Sequence, residues 1–171
     1  MNTATAKEAN NLSVDQLKNA RQYLTFILAN EEYGIDILKV REIRGWEQPT
    51  LLPNTPDYVQ GVINLRGTIV PVVDLRRRFG IENKEFGKTN VVVVVKITFV
   101  DRERTVGLVV DAVSEVYNVN DDSVKPTPDL GGAISNEFVK GLATIEKKML
   151  ILLDIDRLIN IGVLKDVEKK I

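Results

Sequence analysis

The chain contains the same stretch twice. From Asp57 to Leu75 it reads Asp-Tyr-Val-Gln-Gly-Val-Ile-Asn-Leu-Arg-Gly-Thr-Ile-Val-Pro-Val-Val-Asp-Leu, and a second copy runs without gaps from Phe138 to Ile155. Tyr58 lies over Phe138, Gly61 over Gly141, Leu65 over Ile145, Val70 over Leu150 and Asp74 over Asp154. In each copy two apolar runs flank a two-residue turn, the pattern of a tight β-hairpin. A second match lies upstream, where Gly34 to Ile43 sits over Gly107 to Val116 and keeps the glycine, a valine six residues on, and a glutamate followed by Ile or Val. The register differs between the two matches, so the second copy carries a longer middle loop. Such self-similarity predicts an internal duplication, two halves folded on one plan.

Comparing the halves separates what the fold demands from what it does not. Where both keep a residue type, the shared fold explains it. Where one departs, the fold does not require that residue. The first turn is Asn64-Leu65-Arg66-Gly67 and the second is Thr144-Ile145-Glu146-Lys147. The hairpin can therefore be built without the arginine. Arg66 is either a solvated charge of little energetic weight beside a turn glycine or a residue kept for another purpose. Glu42 raises the same question, because its counterpart Glu115 faces Glu146-Lys147 where the first copy offers Arg66-Gly67. We expect Glu42 and Arg66 to approach and orient one another at a partner-facing groove, a paired arginine being pre-organised to present its remaining donors.

Composition narrows the chemistry. With neither cysteine nor histidine, disulfides, Cys or His zinc sites, Ser-His-Asp and Cys-His nucleophiles and imidazole catalysis are excluded. Carboxylates are the main catalytic option left. Asp74 and Asp154 both follow a strand and precede a helix, so they read either as a catalytic pair or, at equivalent places in the copies, as helix caps. A formal net charge of −1 gives no field to favour nucleic acid. The polar N-terminus has no signal-peptide core and no apolar run is long enough to cross a bilayer, so the expected location is the cytoplasm.

Along the chain, residues 1–20 read as a mobile tail and a short helix opened by a Ser13-x-x-Gln16 capping box. Residues 21–80 read as a first barrel half, 81–90 as a charged linker, 91–155 as a second barrel half and 156–171 as a C-terminal helix. Strands are expected from Gln22 to Ala29 and Tyr33 to Ile37, with Ile37 to Ile43 a helical turn running into a strand, then the first hairpin and a short helix from Leu75 closed by Gly80. Val91 to Phe99 is the strongest strand signal, a β-branched run suited to a position buried on both faces and away from a sheet edge. Strands from Thr105 to Asp111 and Val113 to Asn118, a long loop over Asp121 to Asn136 and the second hairpin complete the pattern. Five short strands per half predict a mainly β protein, two small barrels packed about a rough two-fold. A half of this size alone buries a marginal fraction of its surface, so the barrels should lean on each other. Arg76-Arg77-Arg78 reads as a solvated helix face in preference to a basic run that meets an acidic surface, and Trp46 as packing in preference to a binding anchor.

The stretches Phe26 to Gly45, Asn54-Thr55-Pro56, Gly61 to Gly67, Ile69 to Arg76, Val106 to Asp111 and Met149 to Leu152 closely resemble the CheW family of bacterial chemotaxis coupling proteins. The similarity covers roughly Gln22 to Leu158 and is consistent with a single CheW-like domain over about 21–160. The resemblance implies two SH3-like five-stranded barrels, no catalytic activity and no cofactor. It implies an adaptor that binds the cytoplasmic tip of chemoreceptors and the regulatory domain of the histidine kinase CheA, and so is recruited to membrane receptor arrays. The positions matching the family's receptor-facing set are Val40, Glu42, Gly61, Asn64 and Arg66, and a main kinase contact is implied for the second barrel. Two alternatives are a CheW-like module of a CheV-type coupling protein, against which the absence of a receiver domain counts, and a carboxylate-dependent hydrolase on a β-barrel.

Overall fold

The computed structural model describes residues 20–82, 85–99, 101–128 and 136–160. The expected N-terminal tail, most of its helix, residues 129–135 of the long loop and the end of the chain beyond Asn160 lie outside them. Among the described residues there are ten strands: β1 (Ala20–Leu28), β2 (Glu31–Asp36), β3 (Val40–Gly45), β4 (Val59–Leu65), β5 (Thr68–Asp74), β6 (Val91–Phe99), β7 (Arg102–Val110), β8 (Ala112–Asn120), β9 (Val139–Ile145) and β10 (Lys148–Leu153). Two short helices follow the hairpins, α1 (Leu75–Arg78) and α2 (Ile155–Asn160). Ile37–Lys39 forms a 3-10 turn capped by the Asp36 carboxylate before β3, so the expected helical turn running into a strand is present.

The strands form two five-stranded sheets. Sheet I has the order β8-β1-β2-β10-β9 and sheet II the order β3-β6-β7-β5-β4. These orders are the same plan, with β8 matching β3, β1–β2 matching β6–β7, and β10–β9 matching β5–β4. Each sheet nevertheless draws strands from both halves of the repeat. The first hairpin of the N-terminal half completes sheet I, and the first hairpin of the C-terminal half completes sheet II. The segments 21–80 and 91–155 are therefore units of sequence, and the sheets are built by exchanging hairpins between them. The exchange is sealed by two short parallel ladders, Glu32–Gly34 with Leu150–Leu152 and Val72–Asp74 with Gly107–Val109. Gly34 sits opposite Leu152 and Gly107 opposite Val72, so the duplication holds at the level of register. A β-carbon on Gly107 would come 2.8 Å from Val92 Cγ1, and one on Gly34 3.1 Å from Leu152 Cδ2. Close packing explains why both copies keep this glycine.

Three apolar clusters follow from strand alternation. The largest lies between the sheets and holds Leu24, Phe26, Leu28, Val73, Val93, Val95, Leu108, Val110 and Leu153, closed by Leu158 and Ile159 of α2. The opposite faces make two smaller inner cores: Tyr23, Tyr117, Ala143, Leu150 and Leu152 in sheet I, and Ile63, Leu65, Val70, Val72, Val92, Val94 and Val109 in sheet II. β6 lies inside its sheet between β3 and β7, with Val92 to Val95 all buried, which is what a β-branched run requires. Thr25 is fully buried where the β1–β8 register slips, and its hydroxyl donates to the Glu115 carbonyl at 2.8 Å and accepts from the Glu115 N–H at 3.0 Å. A buried hydroxyl so paired carries no penalty.

Candidate partner-binding site

The site is built on the first hairpin and the edge strand β3. Arg66 and Gly67 form the β4–β5 turn with φ of 52° and 88°, and Glu146 and Lys147 form the β9–β10 turn with 50° and 68°. Two consecutive left-handed residues match the right-handed twist of the flanking strands. The second copy adopts this backbone without glycine, as the comparison of copies implied. In the first turn the Asn64 side-chain oxygen accepts from the Gly67 N–H at 2.8 Å. Asn64 thus fixes the loop from which Arg66 projects.

Glu42 lies on β3, at the opposite edge of sheet II from β4. The two are nevertheless in contact, with Arg66 Nη1 3.4 Å from Glu42 Oε2 and Nη2 3.5 Å from Oε1. The contact requires the sheet to curl until its edges meet, and the expected Glu42–Arg66 pair is present. Arg44 extends it, with Nη1 3.7 Å from Glu42 Oε1 and Nη2 3.6 Å from Glu47 Oε1. Sequence reasoning passed over Arg44, although its place two residues along a strand from Glu42 puts both side chains on one face. Arg66 is 73% exposed and Glu42 27%. At these lengths and exposures the pair contributes roughly 0–1 kcal/mol to stability. Holding the fold together does not account for it.

The other two expected positions are placed differently. The register shifts between Val40 and Glu42, with Val40 opposite Val95 and Glu42 opposite Val94. Opposed residues share a face, so the bulge sends Val40 against the core between the sheets and turns Glu42 the other way. Gly61 is buried at φ 135°, and a β-carbon there would fall on the Thr50 carbonyl oxygen. Thr50 and Val62 exchange two backbone hydrogen bonds of 2.8 Å across it. Lys125 and Leu142 do the same across Gly141. Recurrence in both copies matches a demand of the fold. The structure thus groups Glu42, Arg66 and Asn64, with Gly61 beneath and Val40 on the other side of β3.

In sheet I the equivalent place has a different character. Burial, a hydrogen bond to Glu115 and the nearby charges of Glu32 and Glu146 push the Tyr117 hydroxyl well up from its ordinary value. Where the first copy has arginine against glutamate, the second has carboxylates around a buried phenol.

Arg76, Arg77 and Arg78 are not a solvated face. Arg76 grips Asp111 with two bonds, Nε to Oδ1 at 2.7 Å and Nη2 to Oδ2 at 2.6 Å, and Asp111 Oδ2 also accepts from the Ala29 N–H at 2.9 Å. Arg77 reaches Asp74 at 3.6 Å. Arg78 lies over the rings of both Tyr58 and Phe138, 5.3 and 4.5 Å from their centroids, so it joins the two equivalent aromatic positions of the repeat. Consecutive residues of a helix point about 100° apart, and three in a row cannot share one wet side.

Asp74 and Asp154 behave as caps. Asp74 Oδ1 accepts from the Arg76 N–H at 3.1 Å and Asp154 Oδ1 from the Arg157 N–H at 3.2 Å. A cleft of about 210 Å³ contains Asp36, Asp154 and Asp156 beside Arg21, Lys39 and Lys140. Asp36 caps the Leu38 N–H and Asp156 pairs with Lys39 at 2.9 Å. Asp74 is not part of that cleft, so the two carboxylates of the hydrolase alternative do not line it together. Among the described residues no group of three or more acidic side chains could hold a metal ion. Trp46 packs as expected, stacked on Phe86 with centroids 4.0 Å apart.

Comparison with known proteins adds three findings. Residues 22–162 match the family model described as the CheW-like domain. The chain is 44% identical over 140 residues to the chemotaxis protein CheW of Klebsiella aerogenes, covering 82% of each, and 36% identical to the probable chemotaxis protein CheW of Rhizobium etli, covering 81% of this chain and 86% of that one. Among solved structures it superimposes on the scaffolding protein TtCheW of Thermoanaerobacter tengcongensis with a TM-score of 0.74 at 36% identity, covering 84% of this chain and 90% of that one.

Proposed function

The chain belongs to the CheW-like family, and on that premise we propose that this scaffold of chemotaxis joins the cytoplasmic tips of chemoreceptors to the regulatory domain of the kinase CheA, without catalysis of its own. Relatives named CheW match over four fifths of their own length, which favours this reading over a module of a CheV-type protein. The caps formed by Asp74 and Asp154 weigh against a hydrolase. No described helix is long and apolar enough to cross a membrane, in keeping with a cytoplasmic protein drawn to the membrane by its receptor.

The observation that carries the receptor-facing assignment is the exposed Glu42–Arg66 pair. It bridges the two edges of sheet II and contributes little to stability, and the counterpart positions in sheet I are held by Glu115 and Glu146, which carry like charges. An arginine held by a carboxylate presents its outward donors in a fixed direction, suited to polar groups on a partner helix. Coupling then works by differential contact, the adaptor favouring one kinase conformation when the receptor changes state. Arg66→Glu or Glu42→Lys leaves the fold intact and breaks receptor control of kinase activity. The test mixes a receptor cytoplasmic fragment and the kinase with wild-type or variant chain, separately and together. Receptor control unchanged in both variants would remove the assignment.

A further inference from the structure

The linker between the halves, residues 81–90, is charged in sequence, yet it is held down at three points. Near its start the Glu82 carbonyl accepts from Arg76 Nη1 at 2.7 Å. Phe86 then stacks on Trp46, with centroids 4.0 Å apart and planes 22° from parallel, and both rings pack on the inner core of sheet II. At its end Asn90 Nδ2 donates to the Val110 carbonyl at 3.0 Å, while Asn90 Oδ1 accepts from the Gly87 N–H at 2.7 Å. A charged linker is thereby a fastened one.

What it fastens is the end of β3. That strand is an edge, bonded to β6 alone, and Trp46 follows its last residue. Arg44 on the strand reaches both Glu42 and Glu47, the residue after Trp46. The aromatic stack therefore anchors the segment that aims the Glu42 carboxylate at Arg66. The fold itself does not ask for it. In sheet I the place of Trp46 is taken by Val119, an aliphatic residue buried in the inner core of that sheet.

We propose that Phe86 is a positioning residue of the receptor-facing site: residues 85–90 form a strap whose ring on Trp46 sets the reach of β3 and with it the geometry of the Glu42–Arg66 pair. The inference rests on reading that pair as a partner surface. Trp46 is the single tryptophan, so its emission reports the stack directly.

The test uses the full chain with Phe86→Ala, Phe86→Leu, Phe86→Tyr and Arg66→Glu. Phe86→Leu covers the core without a ring and carries the test if the alanine variant does not fold. In Phe86→Ala and Phe86→Leu, Trp46 emission shifts to the red, the side-chain Nε–H resonances of Arg44 and Arg66 move, and affinity for a receptor cytoplasmic fragment falls roughly three- to tenfold, the scale of one aromatic stack. Phe86→Tyr restores all three. A red shift with both arginine resonances and receptor affinity at wild-type values overturns the strap, leaving Phe86 a mere cover. Wild-type affinity in Arg66→Glu overturns the partner surface instead, and the arginine resonances of the Phe86 variants then decide the strap separately.

Discussion

Replacing Asp111 tests how the two sheets are held together. Its carboxylate takes two bonds from Arg76, at 2.6 and 2.7 Å, and one from the Ala29 N–H at 2.9 Å, tying α1, the crossing between β7 and β8, and the β1–β2 turn. The side chains are 13% and 19% exposed, too enclosed for the discount that surface pairs require. Asp111→Ala takes the carboxylate from a largely enclosed guanidinium and removes the acceptor of a backbone N–H, at a cost of about 3 kcal/mol, the lower end for a broken buried pair. For a chain of this size that lowers the thermal midpoint by roughly 6–12 °C. Asp111→Asn keeps an acceptor for Ala29 and loses the charge, so its cost should be about half. Arg76→Ala with Asp111→Ala removes both partners, and the double variant should be more stable than the sum of the single losses predicts, by about 2 kcal/mol. Thermal and urea unfolding followed by circular dichroism measures all four. A coupling energy below about 0.5 kcal/mol would refute the argument that this pair is a clamp.

Gly61→Ala and Gly141→Ala drive a β-carbon into the backbone of Thr50 and against Val124 and Lys125, and each should cost about 2–4 kcal/mol in urea unfolding. Gly45→Ala, with nothing within 4 Å of its β-carbon, should lie within about 0.5 kcal/mol of wild type. Lys147→Gly relieves a left-handed residue at φ 68° and should stabilise by roughly 1 kcal/mol in the same assay. Burial, the largest influence, pushes the Asp74 carboxyl up against the pull of the Arg76 N–H and the neighbouring arginines. A raised carboxyl pKa means the folded chain keeps its proton longer than the unfolded one, so this contribution is full below the unfolded value of about 3.9 and is lost as pH rises through the folded one. Asp74→Asn keeps a capping oxygen without the charge, so unfolding free energies should show it at least as stable as wild type near neutral pH, with its advantage shrinking as pH falls through the carboxylate range.

The strands were legible because alternation and β-branched runs are local. Val91 to Phe99 showed both its state and its interior place. The turn at Ile37 to Lys39 was readable because its apolar spacing fitted a helical turn before a strand. The exchange of hairpins was not, since it rests on two three-residue parallel ladders between strands far apart in sequence, and nothing in either strand alone selects its neighbour. The Glu42–Arg66 pair was legible through the difference between the copies. Val40 lies on the other side of β3 from the pair because a single bulged residue at Arg41 reverses which way the strand points, a reversal that nothing in the local sequence announces. Arg76 to Arg78 were misread because a charge run resembles a wet surface until its partners, Asp111 and the rings of Tyr58 and Phe138, are in place.

The traded hairpins also bear on how such a chain is made. Glu32 pairs with Leu150, so β1 and β2 leave the ribosome long before the strands that will flank them exist. Until β8 and β10 are synthesised, two apolar strands must wait with open sides, a window in which chaperones or like chains can capture them. A single repeat on its own would lack the strands that flank its first hairpin here, because those strands come from the other repeat.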